Sequence, residues 1–211
     1  MSGRRPLIKG NLSMGLQLVR AASRGSRLAP LAPQFRHGAK SHSLPTPMFP
    51  PDLLVRAAAL IARYRAVGRM VATAESCTGG LIAGILTEIP GSSNVLERCF
   101  VVYSNAAKEE LLGVPAETLA KHGAVSEQTA RAMAEGALAK SRADVAVSVT
   151  GIAGPDGGTA AKPVGLVHFA CARRGAPTVA REERFGDIGR EAVRLASVKV
   201  GLDLLDAAGG L

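Results

Sequence analysis

A hydroxyl-rich, glycine-bearing turn, Ala74-Glu75-Ser76-Cys77-Thr78-Gly79-Gly80, follows directly on the apolar run Met70 to Ala74. A serine on a strand-to-helix turn presents its hydroxyl beside the unpaired N–H groups of the helix start, which can hold an oxyanion or a phosphate. Ser76 or Thr78 can equally serve only to cap that helix. A second loop, Thr150-Gly151-Ile152-Ala153-Gly154-Pro155-Asp156-Gly157-Gly158, has four glycines, so its backbone can approach an anion closely. It lacks the Gly-Lys-Ser ending of a P-loop and the GxGxxG spacing, and a tight connection is its plainer meaning.

A serine nucleophile needs a base. His168 lies in a strand-like run, where a packed or surface histidine is the ordinary outcome, and His122 precedes Gly123 at a helix end, where it serves as a cap. Neither has an obvious orienting carboxylate. A neutral lysine can do the work where burial depresses its pKa. Tyr103-Ser104-Asn105-Ala106-Ala107-Lys108 offers one, with the tyrosine at a strand end and Lys108 one turn into the next helix. Surface placement is the alternative for that lysine. Metal chemistry has little support: there is no HExxH and no His/Cys cluster, and Asp156 and Asp187 are isolated loop acids.

The elements that must position these residues follow from periodicity. Leu53, Ala57, Leu60, Ile61 and Tyr64 share one helical face, with Asp52 as N-cap and Gly68 as terminator. A strand over 70–74 leads into the Ser76 turn and a helix to about Glu88, then a loop at Pro90-Gly91-Ser92-Ser93. Phe100 to Tyr103 reads as a strand and Asn105 to Leu112 as a short helix. Ser126 caps a longer helix to about Ser141 that buries Ala130, Met133, Ala134 and Ala137. Val145 to Val149 reads as a buried strand, and Val164 to Ala172 with Thr178 to Phe185 as an antiparallel pair around Arg173-Arg174-Gly175. A final helix runs from about Arg190 to Asp206, with Val193, Ala196, Val200 and Leu204 inward. Strands alternating with helices, closed by one hairpin, predict an α/β sandwich with a mixed sheet. In such folds ligands bind beyond the carboxyl ends of the strands.

The chain has 211 residues, 47% hydrophobic and 20% charged, enough for one domain with an appendage. Its net charge of +9 is unevenly spread. Residues 1–47 hold Arg4, Arg5, Lys9, Arg20, Arg24, Arg27, Arg36 and Lys40 and no acid, which leaves 18 basic against 17 acidic side chains in residues 48–211. The body therefore has no electrostatic reason to seek nucleic acid. Aromatics at 3%, without Trp, also argue against a base-stacking platform. The leader reads as a disordered extension or a mis-called start before Met48, with a targeting segment or an anion-binding arm as alternatives, and His37 and His42 as solvated. No apolar run approaches the roughly 18–20 residues of a membrane span. Three cysteines at unmatched spacings (Cys77, Cys99, Cys171) form no disulfide framework and fit a reducing, cytoplasmic compartment.

Six ordered motifs are more specific than either loop. Thr73-Ala74-Glu75-Ser76-Cys77-Thr78-Gly79-Gly80 is followed by Pro90-Gly91-Ser92-Ser93, then by Val102-Tyr103-Ser104-Asn105 with Lys108 and Leu111-Leu112-Gly113-Val114. Next come Gly123-Ala124-Val125-Ser126, Thr150-Gly151-Ile152-Ala153-Gly154-Pro155 with Gly157-Gly158, and Lys162-Pro163-Val164-Gly165. Together they resemble the CinA carboxy-terminal domain family, also called PncC or nicotinamide-nucleotide amidase, over roughly Asp52 to Ala207. The resemblance implies a three-layer α/β/α sandwich with a mixed, mostly parallel sheet, a homodimer, and hydrolysis of nicotinamide mononucleotide to nicotinate mononucleotide and ammonia without metal or organic cofactor.

By motif, the resemblance makes Ser76 the nucleophile, Lys108 the general base and Tyr103 a hydroxyl relaying or orienting between them. Glu75, Cys77, Thr78, Gly79, Gly80, Ser93, Thr150, Gly151 and Gly154 are implied to line the substrate, with Arg190 suited to its phosphate. Phe185-Gly186-Asp187-Ile188-Gly189-Arg190 departs from the family's usual spacing. Residues 1–47 do not replace the amino-terminal domain of longer CinA proteins, so a pyrophosphatase activity tied to that domain is expected to be absent. A non-catalytic nucleotide- or partner-binding module, linked to competence or DNA-damage responses, is the competing function.

Overall fold

The computed structural model describes residues 47–209. The leader up to residue 46, with His37 and His42, lies outside them.

Helix α1 (Pro51–Ala66) begins with proline at its first position, where the missing N–H and fixed φ cost nothing. Asp52 is therefore not the cap: it sits inside the first turn, where its charge suits the helix dipole. The predicted stripe Leu53, Ala57, Leu60, Ile61 and Tyr64 is the buried face. Strand β1 (Val71–Glu75) is buried at every position, the pattern of a strand covered on both faces. It is followed by α2 (Leu81–Thr87), a short 3-10 turn over Ser92–Asn94, and β2 (Leu96–Val101). Strand β2 begins four residues earlier than its apolar end suggests, because Leu96-Glu97-Arg98-Cys99 lies on the half-exposed edge of the sheet and need not be apolar.

Helix α3 (Asn105–Leu112) is capped by Ser104, whose Oγ accepts from the Ala107 N–H at 3.1 Å. Helix α4 (Ala116–His122), whose end at His122 the sequence marks but whose start it does not, fills the space before α5 (Glu127–Ala139). Ser126 caps α5 as predicted, its Oγ accepting from the Thr129 N–H. Gly136 lies in mid-helix, a placement that costs about 1 kcal/mol against alanine. A Cβ there would stand 2.1 Å from the Leu112 carbonyl, so the glycine lets α5 press against the end of α3.

Strands β3 (Val145–Gly151), β4 (Leu166–Arg173) and β5 (Ala176–Arg184) precede α6 (Arg190–Gly209). The sheet order is β2-β1-β3-β4-β5, with β1 parallel to both β2 and β3, and β4 antiparallel to its two neighbours. Only β4 runs against the rest, which is the mixed, mostly parallel sheet expected. Helices α1, α2 and α6 cover one face through Leu60, Ile85, Val147, Phe169 and Leu205. Helices α3, α4 and α5 cover the other through Ala74, Leu112, Leu119, Met133 and Ala146.

The chain leaves β1 for β2 on one side and returns to β3 on the other. In open sheets such a reversal is where a ligand crevice forms, here beyond the carboxyl end of β1. The loops after β2, β3 and β5 and the start of α6 all come to that same end, since β5 runs parallel to β3.

Candidate active site

The register aligns the strand ends: Glu75 pairs with Val101 on one side and Val149 on the other. Two bonds continue the ladder past the strands, from the Val102 N–H to the Glu75 carbonyl (2.8 Å) and from the Ser76 N–H to the Val149 carbonyl (3.0 Å). Ser76, Tyr103 and Thr150 are thereby delivered to one crevice by three neighbouring strands.

Lys108, one turn into α3, is fully buried and points into it. Its Nζ lies 3.2 Å from Ser76 Oγ, 2.9 Å from the Val102 carbonyl and 3.1 Å from the Tyr103 carbonyl. No carboxylate pairs with it among the described ion pairs. Burial holds its pKa below the ordinary 10.5, with the Cys77 sulfur acting weakly the other way. The two carbonyls can only accept. When the amine is neutral they can take its two hydrogens and leave its lone pair for the Ser76 hydroxyl, which is the arrangement for deprotonating it.

Cys77 is a second potential nucleophile, adjacent in sequence, but its side chain belongs to the core on the α1/α2/α6 face. Burial pushes its thiol pKa up to about 12, so it stays protonated and inert. The histidines are likewise elsewhere engaged. His168 is buried on β4 beside Glu182, and the carbonyl of His122, the last residue of α4, accepts from Lys162 Nζ at 2.7 Å.

Glu75, implied to line the substrate, instead turns its carboxylate inward. Its carboxylate is completely buried and accepts four hydrogen bonds: from the Thr78 hydroxyl (2.7 Å) and from the N–H groups of Gly80 (3.1 Å), Ile82 (3.0 Å) and Ala83 (2.8 Å). It caps α2 from within β1, and it also consumes the helix-start donors expected to meet an oxyanion. Thr78 is spent on the same network. Gly79 and Gly80 adopt φ of +62° and +96°, which lets the turn wrap that carboxylate.

Tyr103 is also placed differently from the relay expected. Ser76 and Lys108 meet directly, and the Tyr103 hydroxyl accepts from Arg190 Nη2 at 3.4 Å instead. Its main-chain carbonyl is what touches the lysine. Arg190, the first residue of α6, also donates from Nη1 to the Gly154 carbonyl (3.0 Å) and so ties the glycine loop to the tyrosine. One turn on, Arg194 donates to the Thr78 carbonyl at 2.9 Å, a brace on the serine turn that sequence alone did not single out. Only its i,i+4 spacing from Arg190 hinted at it. Arg190 and Arg194 also line a cavity of about 440 Å3 with Leu81 and Leu195, which neither Ser76 nor Lys108 reaches.

Thr150 is buried and donates to the Ala124 carbonyl at 2.8 Å, fastening the α4–α5 connection over the crevice. Lys162 supports the same connection through the carbonyls of His122 and Val125. At Gly151 a Cβ would meet Val167 and the Leu166 carbonyl within 2.8 Å, so this glycine serves sheet packing rather than ligand approach. Ser93 is not brought to the site. It is exposed in the turn before β2, at the opposite end of the sheet, and the five residues of β1 alone span roughly 16 Å. Among the described residues no group of three or more His, Cys, Asp or Glu is arranged to hold a metal, and no helix is long and apolar enough to cross a membrane.

Gly165 sets where α6 begins. Its φ is +85°, and a Cβ would lie 2.2 Å from the Gly186 carbonyl oxygen, on the segment leading to Arg190. Gly165→Ala is expected to cost about 2–4 kcal/mol by overpacking and positive-φ strain. Urea denaturation measures that loss. Arg190 would shift with its lead-in.

A profile of the CinA C-terminal domain matches residues 55–208, from within α1 through the end of α6. The chain belongs to the CinA C-terminal domain family. A CinA-like protein of Anaeromyxobacter dehalogenans is 54% identical over 159 residues, covering 75% of this chain and 37% of that protein. The nicotinamide-nucleotide amidohydrolase PncC of Escherichia coli K12 is 54% identical over 142 residues, covering 67% of this chain and 85% of the relative. Against the longer relatives, the chain spans 25–37% of their length. Among solved structures, the competence/damage inducible protein CihA from Agrobacterium tumefaciens superposes with a TM-score of 0.76 at 56% identity, covering 77% of this chain and 98% of that one. The order β2-β1-β3-β4-β5, with the serine turn after β1, is thus the frame of a CinA C-terminal domain.

Proposed function

We propose that this CinA C-terminal domain is an amidase that converts nicotinamide mononucleotide to nicotinate mononucleotide and ammonia through an acyl-enzyme on Ser76. The observation that carries it is the direct 3.2 Å contact between Ser76 Oγ and a buried lysine with no acidic partner. The PncC relatives, named nicotinamide-nucleotide amidohydrolases, supply the substrate class.

Neutral Lys108 removes the Ser76 proton as Oγ bonds to the carboxamide carbon. The tetrahedral oxyanion needs donors. The N–H groups of Ala153 and Gly154, in the loop after β3, donate to no described residue and are the candidate donors. Lys108 then passes its proton to the amide nitrogen, the C–N bond breaks, and ammonia leaves. Water adds to the ester, giving its proton to Lys108, which returns it to Ser76 as the acid is released. Arg190 has five N–H donors, two of them engaged by Gly154 and Tyr103. The others suit the substrate phosphate, with the Tyr103 hydroxyl beside them. A module that only binds nucleotides has no use for a desolvated lysine aimed at a serine.

Comparing the nucleotide with its riboside, which lacks the phosphate, tests this arrangement. Arg190→Gln is expected to raise KM about 10- to 100-fold for the nucleotide, the size of a charge-assisted contact, and to affect the riboside much less. Equal losses on both substrates would remove Arg190 from phosphate recognition.

A further inference from the structure

The end of the sheet opposite Ser76 gathers charged groups that amide hydrolysis does not use. Arg69 stands before β1, Asp144 before β3, and Arg173 and Arg174 at the β4–β5 hairpin. These four residues line a cavity of about 230 Å3.

Its charges do not cancel. Three guanidinium groups share one carboxylate, and Asp144 Oδ2 already accepts from the Met70 N–H at 2.8 Å. None of the three arginines forms an ion pair among the described residues. Arg174 is partly occupied, donating from Nε to the Ala143 carbonyl and from Nη2 to the carbonyls of Leu138 and Ser141 at the end of α5. Arg69 Nη1 is buried with no hydrogen-bond partner. A buried guanidinium donor without an acceptor is costly, and like charges around one small space repel. A ligand carrying negative charge and several acceptor oxygens offsets that repulsion. The guanidinium fork matches a tetrahedral oxyanion, and the cavity has the volume of several waters at about 30 Å3 each, room for a phosphate group.

We propose that Arg69, Arg173 and Arg174 form a second oxyanion site, for inorganic phosphate or a phosphate monoester, remote from the catalytic crevice. At least the length of β1, roughly 16 Å, separates it from Ser76, so its occupant is not the reacting substrate.

The test titrates inorganic phosphate into the Arg190→Gln protein, which lacks the cation assigned to substrate phosphate, with chloride holding ionic strength constant. Saturable amide shifts in NMR are expected at Met70, Arg174 and Gly175. Adding Arg69→Gln and Arg173→Gln should weaken binding at least 10-fold. Neither side chain donates to a described residue, so the fold should survive, and Arg173→Gln alone provides a milder second variant. A parallel titration with ribose 5-phosphate distinguishes the two sources: tighter binding of the ester assigns the site to a monoester, tighter binding of the free ion to inorganic phosphate. Absence of saturable shifts at those amides, or an affinity unchanged by both arginine variants, would overturn the site.

Discussion

Replacing Lys108 by methionine is expected to lower turnover by about 10^2- to 10^4-fold while the protein remains folded, the usual contribution of a positioned general base. Methionine fills most of the lysine's buried volume but cannot take the Ser76 proton. The pH dependence carries a second signature. Because burial lowers the lysine's pKa in the folded state, the unfolded chain binds more protons in the window between that lowered value and 10.5. Stability of the wild type relative to Lys108→Met must then rise with pH across the window and be least below it, where both states are protonated. Activity should rise with pH through the same lowered pKa as the base becomes available. Urea denaturation of both proteins at several pH values measures the first trend and kcat/KM the second. A variant with near-wild-type turnover would dismiss Lys108 as the base.

The largest stability effect is expected at Glu75. Glu75→Ala strands four donors in the interior: the Thr78 hydroxyl and the N–H groups of Gly80, Ile82 and Ala83. The expected loss is about 3–5 kcal/mol, at the upper end for a single substitution. Glu75→Gln should recover only part of it, since the amide keeps one acceptor and turns an NH2 toward donors. Turnover should fall with both, because Ser76 lies between this carboxylate and the turn it organises. A Glu75→Ala protein within 1 kcal/mol of wild type would show that α2 starts without its buried cap.

Much of this was legible in the sequence because periodicity and punctuation agree. The α1 stripe from Leu53 to Tyr64, the Ser126 cap and the run Val145 to Val149 carry unmistakable spacing, and all lie where the pattern puts them. The sheet edge was harder: Leu96-Glu97-Arg98-Cys99 is polar because one side of β2 meets solvent. Helix α4, seven residues between Pro115 and Gly123, is too short to show a period.

Within the site, strand-to-turn logic brought Ser76 and Lys108 into view, since each sits at a fixed offset from a strand end. Side-chain direction was not encoded that way. Glu75 resembles a site acid until the turn is seen to fold back over its carboxylate. Tyr103 resembles a relay until its hydroxyl is found on Arg190. Ser93 belongs to one of the six ordered motifs, yet it precedes its strand where Ser76 follows one, and that alone sends it to the far end of the sheet.

Ammonia release from nicotinamide mononucleotide, measured with a chelator present and with Ser76→Ala in parallel, is the most direct measurement. Release by the wild type at a rate at least about 10^4-fold above the variant is the expected result, the scale of losing a catalytic nucleophile. Release by Ser76→Ala at the wild-type rate, or none from the folded wild type, would contradict a serine–lysine amidase.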